Sequence, residues 1–237
     1  MDTLALVQEL HREGKFPGTA PSTIVGQTGR AADLVAWTIE ANNDIQREND
    51  GRWRWLYGNW TLDTTASQAA YAYTAINDVQ TAAAIARFRS WEIDEQLRPL
   101  IYLTADGVAT QREMSLSDWF NFRYHYLRGT HDAAYPYHIA IGPDNSLNFG
   151  PTPDAVYTAT GNYWKSNLVL AADADEPEFP ADYHMLVVWR AIVKYAYNQV
   201  AGEILARAKT EGGPLFDQLK LNQSWSRFTL REGGALA

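Results

Sequence analysis

The sequence predicts an α+β fold in which helices from both chain ends form one helical bundle, with a β-rich, sandwich- or barrel-like insertion between them in the chain. Three observations predict it. Apolar residues recur at helical spacing near both ends, the period shortens to two between them, and Gly/Pro-rich breaks separate the regimes. Helix stripes far apart in sequence are buried only if the ends return to one another.

The elements follow in order. Leu4, Val7 and Leu10 lie three apart and predict a helix over 1–12, with Asp2 and Thr3 as candidate caps. EGKFPGTAPS then breaks the chain. A second helix is expected over about 28–48, with Leu34, Trp37, Ile39, Ala41 and Ile45 on its apolar face and Gly51 as a left-handed terminator. From Trp53 the period is two. Trp53, Trp55 and Tyr57 share one side, and after Gly58 the phase passes to Trp60 and Leu62, which predicts a bulge at the glycine. Further strands are expected at AAYAY near Tyr71, at AIARFRSWEI from Ala84 and at PLIYLTAD from Pro99, with a turn at 105–107.

SLSDWFNFRYHYLR predicts a third helix, capped by Ser115 or Ser117, with Trp119, Phe122, Tyr126 and Leu127 at helical spacing. YPYHIAI and LNF flank GPDNS as a hairpin, and AVYTATGNYW and NLVLAA extend the sheet. The longest helix is expected over about 181–209 on Met185, Trp189, Ile192, Ala196, Val200 and Ile204; EGGP stops it, and Pro214 opens a last helix to about 221. Before it, Pro151 and Pro153 mark an edge or turn. Asp173, Asp175, Glu176 and Glu178 crowd a helix N-terminus and Pro180 fixes its first φ, so the segment reads as a hinge from sheet to helix. The expected organisation is a helical domain of 1–50 plus 180–222, a β-rich insertion of 51–179 and an extended tail of 223–237.

Composition narrows the function classes. Hydrophobic residues make up 46% and charged residues 20%, an ordinary globular balance. Net charge is −8 with no Lys/Arg-rich run, unlike a sequence-reading nucleic-acid binder and suited to a surface that DNA slides past. With no cysteine there is no disulfide and no thiolate metal site. No apolar run has the roughly 20 residues of a membrane span and no signal peptide opens the chain, so synthesis in a reducing cytoplasm is expected.

Chemistry-bearing patterns are equally sparse. The acidic cluster lacks the central glycine and terminal glutamate of a calcium loop. His125, His131 and His138 are six and seven apart, not at the spacing of a helical zinc pair, and His11 and His184 stand alone. VGQTGRA lacks the Lys-Ser/Thr of a phosphate loop, and no G-x-S-x-G elbow occurs. No catalytic, cofactor-binding or metal residue is therefore assigned. Aromatics at 13%, with nine Trp and thirteen Tyr, can fill a core, anchor subunits or stack on sugars. The last option keeps a carbohydrate- or receptor-binding β module as the alternative function.

VGQTGRAADLVAWTIEANNDIQRENDGRWRWL resembles the N-terminal signature of tailed-bacteriophage head-to-tail adaptor proteins. It has a turn at Gly26-Gln27, an amphipathic helix ending in Ile45-Gln46, and then Trp53-Arg54-Trp55. YAYTAI, YHIAIGPDNSLNFGPTPDAVYTATGNYWKSNLVL and FPADYHMLVVWRAIVKYAY are similar to the family's middle strands, proline-led strand and long C-terminal helix. The resemblance implies a non-enzymatic ring, usually of twelve copies, in the virion neck, assembled in the host cytoplasm. It would sit below the portal protein, extend the channel for packaged double-stranded DNA, and receive a tail, nozzle or stopper protein. The helical domain would form the ring body. A C-terminal tail that docks on the portal is expected to use Trp225, Phe228 and Leu230, large apolar residues in an aperiodic stretch that are costly to leave in water; folding back onto the chain's own core is the alternative.

Overall fold

The computed structural model describes residues 1–93, 98–105, 108–128, 131–199 and 202–223. The fold is α+β, with helices toward both ends and strands in the middle. It divides into two compact units, one of 1–55 and 167–237, the other of 56–166.

In the first unit α1 (Thr3–Glu13), α2 (Gly29–Arg47), α4 (Met185–Gln199) and α5 (Gly202–Gln223) pack together. Leu6, Val7 and Leu10 of α1, Leu34, Ala41 and Ile45 of α2, and Val187, Ala191 and Ile192 of α4 are buried. Asp2 caps α1 by accepting from the Ala5 N–H at 2.7 Å. Two more N–H groups of the opening turn, those of Thr3 and Leu4, donate to the carbonyls of Asp175 and Asp173. The acidic stretch is thus spent on local geometry and not on α4, whose first turn has no acidic residue. The Asp173 carboxylate accepts from the Ile24 N–H at 2.6 Å, and that of Asp175 from Ala171 and Ala172.

Several expectations change here. The strand expected from Trp53 begins only at Tyr57, because the chain first turns left-handed at Asn49, Asp50 and Gly51 and then makes a short 3-10 turn over Arg54–Leu56. Trp53 is 1% exposed and lies stacked on Trp55, ring centroids 4.7 Å apart. Its indole N–H donates at 2.9 Å to the Ile45 carbonyl, one of the last four of α2, which has no partner within the helix. NLVLAA is not a strand either. The Leu168 N–H donates to the Gln46 side chain and its carbonyl accepts from Gln46 and Asn42, so buried amides of α2 replace a ladder.

The single long helix expected over 181–209 is a 3-10 turn, Ala181–Tyr183, followed by α4, and the chain restarts as α5 at Gly202. EGGP does not stop that helix, and Pro214 lies inside it. Two glycines and a proline disfavour a helix interior by roughly 1 kcal/mol each and 3 kcal/mol, so tertiary packing holds it. Gly212 lies against Trp189, where a Cβ would come within 3.0 Å of the Trp189 Cβ, while Ala208, Phe216 and Leu219 are buried alongside. With Arg190 over the Phe216 ring and Lys209 over that of Tyr197, α4 and α5 run antiparallel.

Buried His184, just before α4, carries its proton on Nε2, which donates to the Phe179 carbonyl at 3.0 Å; Nδ1 faces the Met1 ammonium at 2.7 Å. Burial pushes the imidazole below its ordinary value near 6.5, a shift opposed by the Phe179 bond and reinforced by the Met1 charge. Above about pH 6.5 the ring is neutral in folded and unfolded chains alike. Below it only the unfolded chain readily takes up the proton, so stability is lost as pH falls. Urea midpoints measured from about pH 7.5 to 5.5 should decline, and the slope should be shallower in His184→Gln. An unchanged slope contradicts this role.

In the second unit, a six-stranded sheet among the described residues has β3 (Asn77–Asp78), β1 (Tyr57–Asp63), β10 (Thr158–Trp164), β5 (Leu100–Ala105) and β6 (Val108–Glu113) in that order, with β4 (Ser90–Glu92) also on β10. The second sheet orders β2 (Ala70–Tyr71), β9 (Leu147–Gly150), β8 (His138–Ile141) and β7 (Ser115–Leu116). Trp60, Leu62, Trp91 and Ala159 of the first sheet and Tyr71, Ile139, Leu147 and Phe149 of the second share one core.

β1 buries Gly58, Trp60 and Leu62, the phase read from sequence. There is no bulge at Gly58: the antiparallel register runs unbroken from Tyr57 opposite Trp164 to Asp63 opposite Thr158. Glycine is there for space, since a Cβ would meet the Tyr163 ring at 2.5 Å. The hairpin around GPDNS forms as expected, with the Gly142 N–H donating to the Ser146 carbonyl. AIARFRSWEI contributes only β4, and residues 106–107 of the turn at 105–107 lie outside the described residues.

Candidate functional site

The surface that stands out is built on a short helix. Asp118 caps it, accepting from the Phe120 and Asn121 N–H groups at 3.0 Å each, so neither Ser115, which is in β7, nor Ser117 has the expected role. Those bonds stabilise the ionised carboxylate and hold its pKa low, led by the Asn121 N–H. One α turn, α3 (Trp119–Phe122), widens into a π turn, Arg123–Leu127.

One face of this segment is docked. Phe122 is fully buried, and the half-buried Tyr126 hydroxyl bonds to His138 Nδ1 at 2.6 Å. Gly150 of β9 permits the approach, because a Cβ there would come within 2.7 Å of the Tyr126 ring and 2.8 Å of the Phe122 ring. Burial holds the His138 imidazole below its ordinary value, with the nearby His125 adding to the shift. The Tyr126 hydroxyl is pushed up by burial and by Tyr137. His125 and His138 therefore sit on different elements, and the latter is engaged by a tyrosine.

The other face is open. Phe120, Tyr124 and Leu127, four and three residues apart, are 80%, 65% and 48% exposed. Arg128 lies over the Tyr124 ring at 5.9 Å. Leu116 of β7 and Tyr137, next to His138, are exposed as well. Fully burying a Leu or Phe side chain is worth about 1.5–3 kcal/mol, so a helix face of this kind is suited to a protein partner. Sequence reasoning placed Leu127 on the core side and missed Phe120 and Tyr124. The signal was present, since W-F-N-F-R-Y-H-Y-L is aromatic on two faces and only one can dock.

Carboxylates elsewhere in this unit serve structure. Burial would raise the Asp78 carboxyl, but bonds from the Tyr163 hydroxyl and the Thr81 and Gln80 N–H groups bring it below the ordinary carboxylate value. Glu92 accepts from the Trp164 indole. The Tyr157 hydroxyl donates to Asp154 at 2.6 Å, and that bond, with burial, pushes it up to about 12. Among the described residues no three His, Asp or Glu side chains converge as a metal site, and no helix is long and apolar enough to cross a membrane. The expected portal contacts Trp225, Phe228 and Leu230 lie outside the described residues.

A protein-family model described as SU10 adaptor protein matches residues 7–227. No curated protein matches the chain.

Proposed function

Because the chain belongs to the SU10 adaptor protein family, we propose that it is the ring-forming head-to-tail adaptor of a tailed phage. The family assignment carries a phage adaptor role, implies a non-enzymatic part of the virion neck, and favours this reading over a carbohydrate-binding module. Beyond that, twelve copies close a ring below the portal through heterologous neighbour contacts, extend the DNA channel and attach the tail. The observation that supports it best is the open Phe120/Tyr124/Leu127 face, whose helix is pinned from behind by Phe122 and Tyr126. Rigid aromatics presented in this way suit a subunit contact. The net charge of −8 suits a channel that must not retain DNA. The helical domain of 1–50 plus 180–222 is the ring body, 51–179 faces outward or towards the tail while lending the Phe120/Tyr124/Leu127 face to the neighbour contact, and Trp225, Phe228 and Leu230 dock on the portal.

Native mass spectrometry with purified portal tests both contacts. The triple variant Phe120→Ser/Tyr124→Ser/Leu127→Ser should keep its circular dichroism and lose the closed ring. Deleting the residues after Gln223 should leave a folded protein that no longer joins the portal. Rings of normal stoichiometry from the triple variant defeat the first assignment, and unchanged portal binding by the truncation defeats the second.

A further inference from the structure

A groove of about 550 Å³ lies between α4 and α5, and its chemistry differs from that of the chain as a whole. Its walls are aromatic: Trp189 and Phe216 are buried at the base, and Tyr197 is 64% exposed at the rim. Gly213 leaves the middle open, with nothing within 4 Å of where a Cβ would stand.

Among the described residues, the charges that line it have one sign. No carboxylate lines the groove, whereas Arg190 and Lys209 do, on a chain whose net charge is −8. Each cation sits on a ring: Arg190 at 4.5 Å and Lys220 at 4.2 Å from the Phe216 centroid, and Lys209 at 5.7 Å from that of Tyr197. Arg190 is partly neutralised by Glu48 at 3.2 Å. Among the described residues Lys209 and Lys220 have no carboxylate partner, although both are exposed on α5.

We infer that this groove is a docking site for an acidic peptide segment of a partner protein, with an apolar side chain seated over Gly213 and carboxylates reaching Lys209 and Lys220. The two lysines are eleven residues apart on one helix, roughly 16 Å at 1.5 Å per residue. An extended peptide covers that span in about five residues. Charge argues against the chain's own end as the occupant, since residues 224–237 carry Arg227 and Arg231 against Glu232. A DNA duplex, with phosphates on a broad convex surface, has no apolar group to place over the glycine. The inference rests on the adaptor reading only in taking the partner to be a protein.

Fluorescence anisotropy of the full chain with a fluorescein-labelled peptide ESFSGE tests it, alongside KSFSGK, ESSSGE and a labelled DNA duplex. ESFSGE should bind saturably, and both other peptides more weakly. Lys209→Glu/Lys220→Glu, with an unchanged thermal melt, should weaken ESFSGE by about tenfold or more and bind KSFSGK better than the parent protein does. No saturable binding up to about 1 mM, equal binding to the variant, or a preference for DNA removed by the same variant would overturn the inference. Ring formation of the same preparation on portal, read by native mass spectrometry, judges the adaptor reading separately.

Discussion

Trp53→Ala should destabilise the helical unit by about 3–5 kcal/mol, the range for removing a buried large aromatic. The side chain is 1% exposed, stacks on Trp55, and meets the edge of Phe216 with centroids 6.2 Å apart. It thereby ties the end of α2 to α5. Alanine leaves a cavity among three elements and strands the Ile45 carbonyl that the indole satisfies. Amide exchange read on α2 and α4 should show protection falling by about two to four powers of ten. Trp53→Phe separates the contributions, because it keeps a ring on Trp55 and removes only the donor. Its expected cost is nearer 1–2 kcal/mol, a hydrogen bond plus a small volume change. Equal losses in the two variants would mean that the hydrogen bond, and not the packing, dominates.

The second large effect is expected at Gly161→Val. Gly161 of β10 stands opposite Trp60 of β1, and a Cβ there would come within 2.6 Å of the indole. Gly58 and Tyr163 repeat the arrangement two pairs along the ladder with the strands exchanged. Each glycine is thus the floor under a cross-strand aromatic. Trp60 is fully buried against Trp91, centroids 5.8 Å apart, and has nowhere to retreat within the core. Overpacking costs about 1–3 kcal/mol and more where the neighbour is held on all sides. A double-mutant cycle with Trp60→Leu checks the cause: the double variant should be less destabilised than the sum of the singles by about 1 kcal/mol or more. Additive losses would show that the indole is not what the new side chain meets.

These two sites also mark where sequence reading succeeded and where it stopped. The sequence places Trp60 correctly, because alternation along β1 is a local property of a pleated strand. Gly58 marks a special position in the sequence, but not the bulge its phase change suggests. A glycine at a phase change signals a bulge or a close approach, and only the opposite strand tells which. Trp53 and Trp55 show the same period as a strand, yet Trp55 lies in a 3-10 turn and Trp53, just before it, is held by the end of α2.

The exposed aromatic face is half legible in the sequence. The helix after Asp118 and the burial of Phe122 followed from spacing. That Phe120 and Tyr124 stay in solvent depends on which face Gly150 lets approach β9, a residue about thirty positions away.

What the sequence determined by itself is the order and type of elements: helices toward both ends, strands between, the hairpin over 138–150 and the phase of β1. These rest on periods of two and 3.6 and on turn residues, which act within a few positions. Tertiary structure alone decided why EGGP stays helical against Trp189, why Leu168 pairs with side-chain amides and not with a strand, and what the acidic segment does at the start of α1. In each case a backbone group or a close-packed glycine found its partner far along the chain. Local propensities of about 1 kcal/mol per residue give way when burial and hydrogen bonding from such partners exceed them.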